Sequence, residues 1–219
     1  MMPRFRQALL TTAYFPPVEY FFSIAHSGGV LIEQHENYQK QSWRSRCRIL
    51  SAAGPEDLSI PVVKEERRSR PIRDIRIDYA EPWLQHHVRA FAAAYNASAY
   101  YDYYAGDLLP ILDRRPAFLF DLNCALLETL LRLLDLNVPI AFTEQYEPCV
   151  PETVFDGRSR IQPKYKGESL LSEYDFQQAY YQVFVNRDPS VSRRSFIPNL
   201  SVLDLLSAEG PNAVSFLRT

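Results

Sequence analysis

The sequence predicts an α/β fold: a single domain over residues 1–219, with a small, mainly parallel sheet flanked by helices and an irregular, loop-rich C-terminal third. Three observations predict it. The first third alternates short apolar runs with a helix-like segment, which is the pattern of a βαβ unit. The middle repeats leucines at spacings of three and four, and a further apolar run then returns toward the sheet. Finally, 219 residues at 47% hydrophobic and 23% charged suffice for one core, and no shift in composition marks a domain boundary.

The elements follow in order. "RQALLTTAY" is a buried strand, and the Pro16-Pro17 pair opens the helix "PVEYFFSIAH", where proline's preset φ suits a first turn. Gly28-Gly29 stops that helix and "VLIEQ" is the second strand, so right-handed parallel pairing is expected. "RSRCRILS" and "DLSIPVV" read as strands joined by the turn cluster "AAGPED", and "IRDIRID" as a further strand. "KEERRSRPIR" between them is a charge run, expected to be an exposed loop.

Pro82 opens the helix "PWLQHHVRAFAAAY", with Trp83, Val88, Phe91 and Tyr95 near one stripe. "FLFDLNCALLETLLRLLDLN" is a core helix on Leu119, Leu122, Leu126, Leu130 and Leu133, and "VPIAFTEQY" is the returning strand. "EPCVPETVFDGRSRIQPKYK" has three prolines and an Asp-Gly turn signal and reads as a long loop. "SEYDFQQAYYQVFV" is a helix or a strand; its aromatics suit a core or, if exposed, a partner surface. Ser201 with Asp204 fits a capping box, and Gly210-Pro211 ends that helix.

Composition excludes several functions. A net charge of -2 argues against a surface built for nucleic acid, so any anion site is local. No apolar run reaches the roughly 18 residues of a membrane span, so membrane insertion is not expected. The start of the chain does not read as a secretory signal, and Cys47, Cys124 and Cys149 form no C-x-x-C pair. A reduced, cytoplasmic protein is the expectation. Neither G-x-G-x-x-G nor G-x-x-x-x-G-K-[ST] occurs, which removes Rossmann and P-loop cofactors and leaves the cofactor unknown.

"HENYQKQSWRSRCRI", residues 35–49, concentrates the chemistry. As a strand from Trp43 to Ile49, it would set Arg44, Arg46 and Arg48 on one face, with guanidiniums about 6.6 Å apart at roughly 3.3 Å rise per residue. Such a comb suits a diphosphate or several carboxylates. On spacing alone, an edge strand charged against aggregation explains it as well. Glu36 and Lys40 are acid–base candidates beside it, or simply an i, i+4 pair on a helix surface. His35 has no second histidine four residues on, and His86 and His87 point about 100° apart on a helix, so no metal site is expected. Cys47 faces away from the arginines and reads as a core thiol. In the long loop, Asp156, Arg158 and Lys164 are either site residues or local salt bridges.

Several stretches resemble the WbqC-like protein family along nearly the whole chain: "AYFPPVEYF", "ENYQKQSWRSRCRI", "LSIPV", the tryptophan-led helix and "YYQVF…FIPNLSVLDLLSAEGP". The chain departs from the family pattern at Thr12 and Ala13, where Gln-Pro is usual, and at Ser45, where Asn is usual. The resemblance implies a bacterial protein of O-antigen or other surface-polysaccharide gene clusters, with aminoacyl (glycine) transfer as one candidate reaction. Position by position, it singles out Tyr14, Pro16, Tyr20, Asn37, Lys40, Trp43, Arg44 and Arg46, then Asp156, Arg158, Asn199 and Asp204. The resulting expectation is a transferase acting on an anionic, phosphorylated or sugar-linked small molecule. Glu36, Lys40 and Asp156 are its catalytic candidates. Tyr14, Tyr20, Asn37, Trp43, Arg44, Arg46, Arg48, Arg158 and Lys164 are its binding candidates. The alternative is a non-catalytic scaffold of the same pathway.

Overall fold

The computed structural model describes residues 4–64, 70–174, 179–185 and 196–218. The chain runs β1 (Gln7–Thr11), α1 (Val18–Ala25), β2 (Val30–Glu33), β3 (Arg46–Ser51), β4 (Gly54–Ser59), α2 (Trp83–Tyr95) and α3 (Tyr101–Asp113). It continues through α4 (Leu119–Leu133), β5 (Ile140–Phe142), β6 (Val154–Asp156), α5 (Leu170–Glu173), α6 (Val202–Glu209) and α7 (Ala213–Leu217).

Four strands form a sheet in the order β5-β2-β1-β6, and every neighbouring pair is parallel. β1 is buried at Ala8, Leu9, Leu10 and Thr11, because a central parallel strand is covered on both faces and therefore reads as a continuous apolar run. α1 connects β1 to β2 and is buried from Val18 through Ile24, so it is an inner helix, packed against α5, α6 and α7. Gln7–Leu9 lie opposite Val154–Asp156, so the chain crosses from β5 at one edge to β6 at the other.

β3 and β4 form a separate antiparallel hairpin, in register from Arg46↔Ser59 to Ser51↔Gly54. The expected turn "AAGPED" shrinks to Ala52-Ala53, since Gly54 takes φ +126°, open to glycine, and Pro55 sits on an edge strand that needs no N–H from it. α2 packs on β3, α3 on α4, and α4 on a short 3-10 turn at Ile72–Asp74. That turn replaces the strand expected in "IRDIRID". Pro71 presets its first dihedral, and the Asp74 N–H closes back on the Pro71 carbonyl.

Two further elements differ from expectation. α3 was not foreseen, although Tyr101, Tyr104, Leu108, Ile111 and Leu112 bury one helical stripe; Gly106 and Pro110 mask it in sequence. β6 lies within the stretch read as a long loop. It is three residues long, and only its pairing with β1 makes it a strand. In the C-terminal third, α5 is a single turn. Residues 175–178 and the charge-run residues 65–69 lie outside the described residues, while Arg70 and Pro71 lead into the 3-10 turn. Tyr180 is buried and stacks edge-on against Phe196 and Phe216, a core role for part of that aromatic segment.

Ser201 caps α6 by accepting from the Leu203 N–H, but the capping box does not close. The Ser201 N–H donates to the Arg48 carbonyl at 2.7 Å, and Asp204 turns inward to accept from Gln182 Nε2 at 2.9 Å. Tertiary partners outcompete the local pairing.

Candidate functional site

The 36–44 loop is stapled at its base. Arg44 precedes β3 and is 1% exposed; its Nε donates to Glu36 Oε1 at 2.7 Å and its Nη2 bonds Oε2. The three-arginine comb therefore does not form: the strand begins at Arg46, and the irregular backbone before it turns Arg44 into the core. Burial pushes the Glu36 carboxyl up, opposed by the Arg44 guanidinium. Around the same staple, the Ile72 N–H donates to the Glu36 carbonyl, and Asn123 Nδ2 donates to the Arg44 carbonyl and to Thr12 Oγ1. Asn37, Lys40 and Gln41 ride exposed on the loop, where Lys164 Nζ bonds Gln41 Oε1.

Arg46 and Arg48 do share the outer face of β3, but they serve different places. Arg48 makes a two-pronged pair with its cross-strand neighbour Asp57, Nε–Oδ1 2.7 Å and Nη2–Oδ2 3.0 Å, and its guanidinium lies 5.6 Å from the Trp43 ring centroid. Arg46 lines a cleft of about 610 Å³ together with Lys40, Ser59, Trp83, His86 and His87. Cys47, on the opposite face, is buried, and burial pushes its thiol well above the ordinary range.

The two adjacent histidines part as α2 dictates. His86 is exposed in the cleft wall and His87 is buried. The His87 ring bonds the Tyr14 hydroxyl through Nδ1 at 3.0 Å. Burial, with the neighbouring His86, lowers its pKa to about 4, so the ring is neutral at neutral pH. Tyr14 is fully buried and reaches the cleft only through His87. Trp83 lines the same cleft, and its indole Nε1 is buried without a hydrogen-bond partner among the described residues.

Asp156 and Arg158 belong to a second ion network, at the carboxyl ends of β2 and β6. Arg158 grips Asp156 through Nη2 at 2.7 Å and Nε at 3.0 Å, and reaches Glu33 Oε2 through Nη1 at 3.2 Å. Glu33 is 0% exposed and also accepts from Thr143 Oγ1 and the His35 N–H. Parallel sheets of this class hold ligands where the strand order reverses, here between β1 and β6. In this chain the side chains at that place bond one another, and Gly157 packs so closely that a Cβ would stand 2.6 Å from Leu10 Cδ2.

Of the remaining candidates, Tyr20 is buried, with its hydroxyl donating to the Thr11 carbonyl at 2.9 Å. Trp43 is buried and lines a separate, smaller cleft together with Arg48. The structure thus brings Lys40 and Arg46 together in one cleft, Glu36 with Arg44 beneath its loop, and Asp156 with Arg158 at the sheet edge. Sequence reasoning missed His86, Trp83, Glu33 and Asp57. The Pro82-Trp83 helix start flags the first two, whereas nothing local marks Glu33 or Asp57. Among the described residues no group of three or more His, Cys, Asp or Glu side chains is placed to hold a metal, and no helix is long and apolar enough to cross a membrane.

A family model described as "WbqC-like protein family" matches residues 12–216. An uncharacterized protein of Mycobacterium tuberculosis, Rv1507c, is 28% identical over 227 aligned residues that cover 96% of each chain. No solved structure matches the chain.

Proposed function

The chain belongs to the WbqC-like protein family, and on that footing we propose that it is a transferase of bacterial surface-polysaccharide (O-antigen or capsule) synthesis, working in the cytoplasm on an anionic, nucleotide-activated substrate. The pathway rests on what the family resemblance implies. The chemistry rests on one observation: Lys40, Arg46, His86 and Trp83 line a single cleft of about 610 Å³. That volume is in the range of small-molecule sites, roughly 300–1,000 Å³.

In this reading the donor's phosphate binds Lys40 and Arg46. When the transferred glycosyl or aminoacyl group departs, its bonding pair stays on the phosphoryl oxygen, and the two cations stabilise that charge. The acceptor's proton passes to the exposed His86 imidazole or to Lys40. Asp57, also in the cleft wall, has its charge held by Arg48 and competes little with the phosphate. Glu36, with Arg44, is a positioning residue here: it closes the loop that carries Lys40. Asp156 and Arg158 hold the sheet end.

Thermal denaturation with uridine- and thymidine-diphosphate sugars tests the proposal. A ligand at a hundred times its Kd stabilises by about 2.7 kcal/mol, and Lys40→Ala with Arg46→Ala should abolish the shift while leaving the unliganded midpoint nearly unchanged. No stabilisation by any phosphorylated donor, or equal stabilisation in the double variant, contradicts it.

A further inference from the structure

A second cleft, of about 180 Å³, is walled by four separate parts of the chain: Glu19 at the start of α1, Trp43 and Arg48, Arg160 with Ser169, and Asn199 just before α6. Backbone bonds lock three of these parts together. The Tyr14 N–H donates to the Trp43 carbonyl, the Ser201 N–H to the Arg48 carbonyl and the Val18 N–H to the Leu200 carbonyl. Asn199 holds φ +60°, a left-handed conformation that asparagine tolerates, and its Oδ1 accepts the Glu19 N–H at 3.0 Å. The walls are fixed by these contacts.

Trp43, Arg48 and Arg160 bring hydrogen-bond donors to this cleft. Trp43 is 4% exposed, and its indole Nε1 is buried without a partner among the described residues. Arg160 spends Nη2 on Glu173, while its Nε is likewise buried and unpartnered among the described residues. Arg48 uses Nε and Nη2 on Asp57, which leaves Nη1. Buried donors are normally paired, and two exceptions on residues that line one cleft need an explanation. Glu19 is the one acid lining the cleft; burial raises its carboxyl pKa and the nearby Arg160 charge opposes that rise, yet no hydrogen bond from it reaches Trp43 Nε1 or Arg160 Nε.

We propose that this cleft is a second ligand site that takes the carboxylate or phosphoryl end of a small anion, received by the Trp43 indole N–H and the Arg160 guanidinium. Its volume suits a headgroup of a few heavy atoms rather than a nucleotide. The inference is independent of the reading of the large cleft.

The protein has two tryptophans, Trp43 in the small cleft and Trp83 in the large one. The wild-type chain therefore shows two indole N–H resonances in a ¹⁵N-correlated NMR spectrum, assigned by Trp43→Phe. Titration with inorganic phosphate, and separately with acetate, against a chloride control should shift the Trp43 resonance saturably for at least one anion. The responding anion identifies the headgroup. Arg160→Lys, which keeps the charge, and Arg160→Gln should both weaken that response at least tenfold in samples whose thermal midpoints show a folded protein. A Trp43 signal unmoved by either anion overturns the inference, as does a shift that persists in both Arg160 variants. Movement of Trp83 alone also overturns it, while leaving the large-cleft proposal standing.

Discussion

Replacing Asp204 by asparagine should make the protein more stable at neutral pH and leave it nearly unchanged in acid. Asp204 is 5% exposed in α6, and burial raises its pKa from the ordinary 3.8 to about 6. Because the folded value is the higher, the stability it contributes is fully present below about pH 3.8 and is lost as pH rises through about 6. At about 1.4 kcal/mol per pH unit, the gap is worth about 3 kcal/mol. The carboxamide oxygen of the substituted side chain would still accept from Gln182 Nε2, so the tie between α6 and the 179–185 segment survives without the buried charge. Urea unfolding followed by tryptophan fluorescence, at steps from pH 3 to pH 8, measures the difference between the two proteins. With an m-value of about 2 kcal/mol per molar, the Asp204→Asn midpoint should lie about 1.5 M higher at pH 8 and within about 0.5 M at pH 3. Taking the difference cancels Glu19 and Glu36, whose carboxyls burial also raises. A difference independent of pH, or a less stable variant at pH 8, refutes the reasoning.

His87 carries the opposite sign. Its pKa falls from 6.5 to about 4, so its contribution is present above about 6.5 and is lost as pH drops through 4; in His87→Gln, acid destabilisation over that window should shrink by about 3 kcal/mol in the same urea series. Glu36→Gln or Arg44→Met leaves one buried charge without its partner and should cost about 3–5 kcal/mol. The double change should cost clearly less than the sum in a double-mutant cycle of thermal midpoints, and strict additivity would mean that the pair is not a unit. Native thiol titration should find Cys149 fast, whereas Cys47 and Cys124, the latter pushed up to about 12, react appreciably only on unfolding.

The candidate site was partly legible. Residue type and spacing make Lys40 and Arg46 candidates but fit a surface pair and a charged edge strand as well; the family resemblance singles them out, and the structure places both at the large cleft. Arg44 was grouped with them by period-2 counting, which assumes a strand. The chain enters β3 only at Arg46, so the count began too early. In sequence Trp83 is a stripe residue and His86 one of two adjacent histidines pointing apart, and only the hairpin packed against α2 makes them walls of a cleft. Exposure alone cannot tell a wall from a surface.

By itself the sequence determined what is periodic or local: the βαβ opening, the helices α1, α2 and α4, the Ser201 cap, and the family to which these stretches point. Each is governed by contacts within a few residues, or by a single apolar stripe, and such constraints are written consecutively along the chain. Tertiary structure alone decided which strand flanks β1 on its far side, that Arg44 turns in to Glu36 and Asp204 to Gln182, and that residues from four distant segments enclose the smaller cleft. Partners there are separated by up to 180 positions, as between Glu19 and Asn199. What joins them is the burial of hydrogen-bonding groups in a shared interior, which no local pattern encodes.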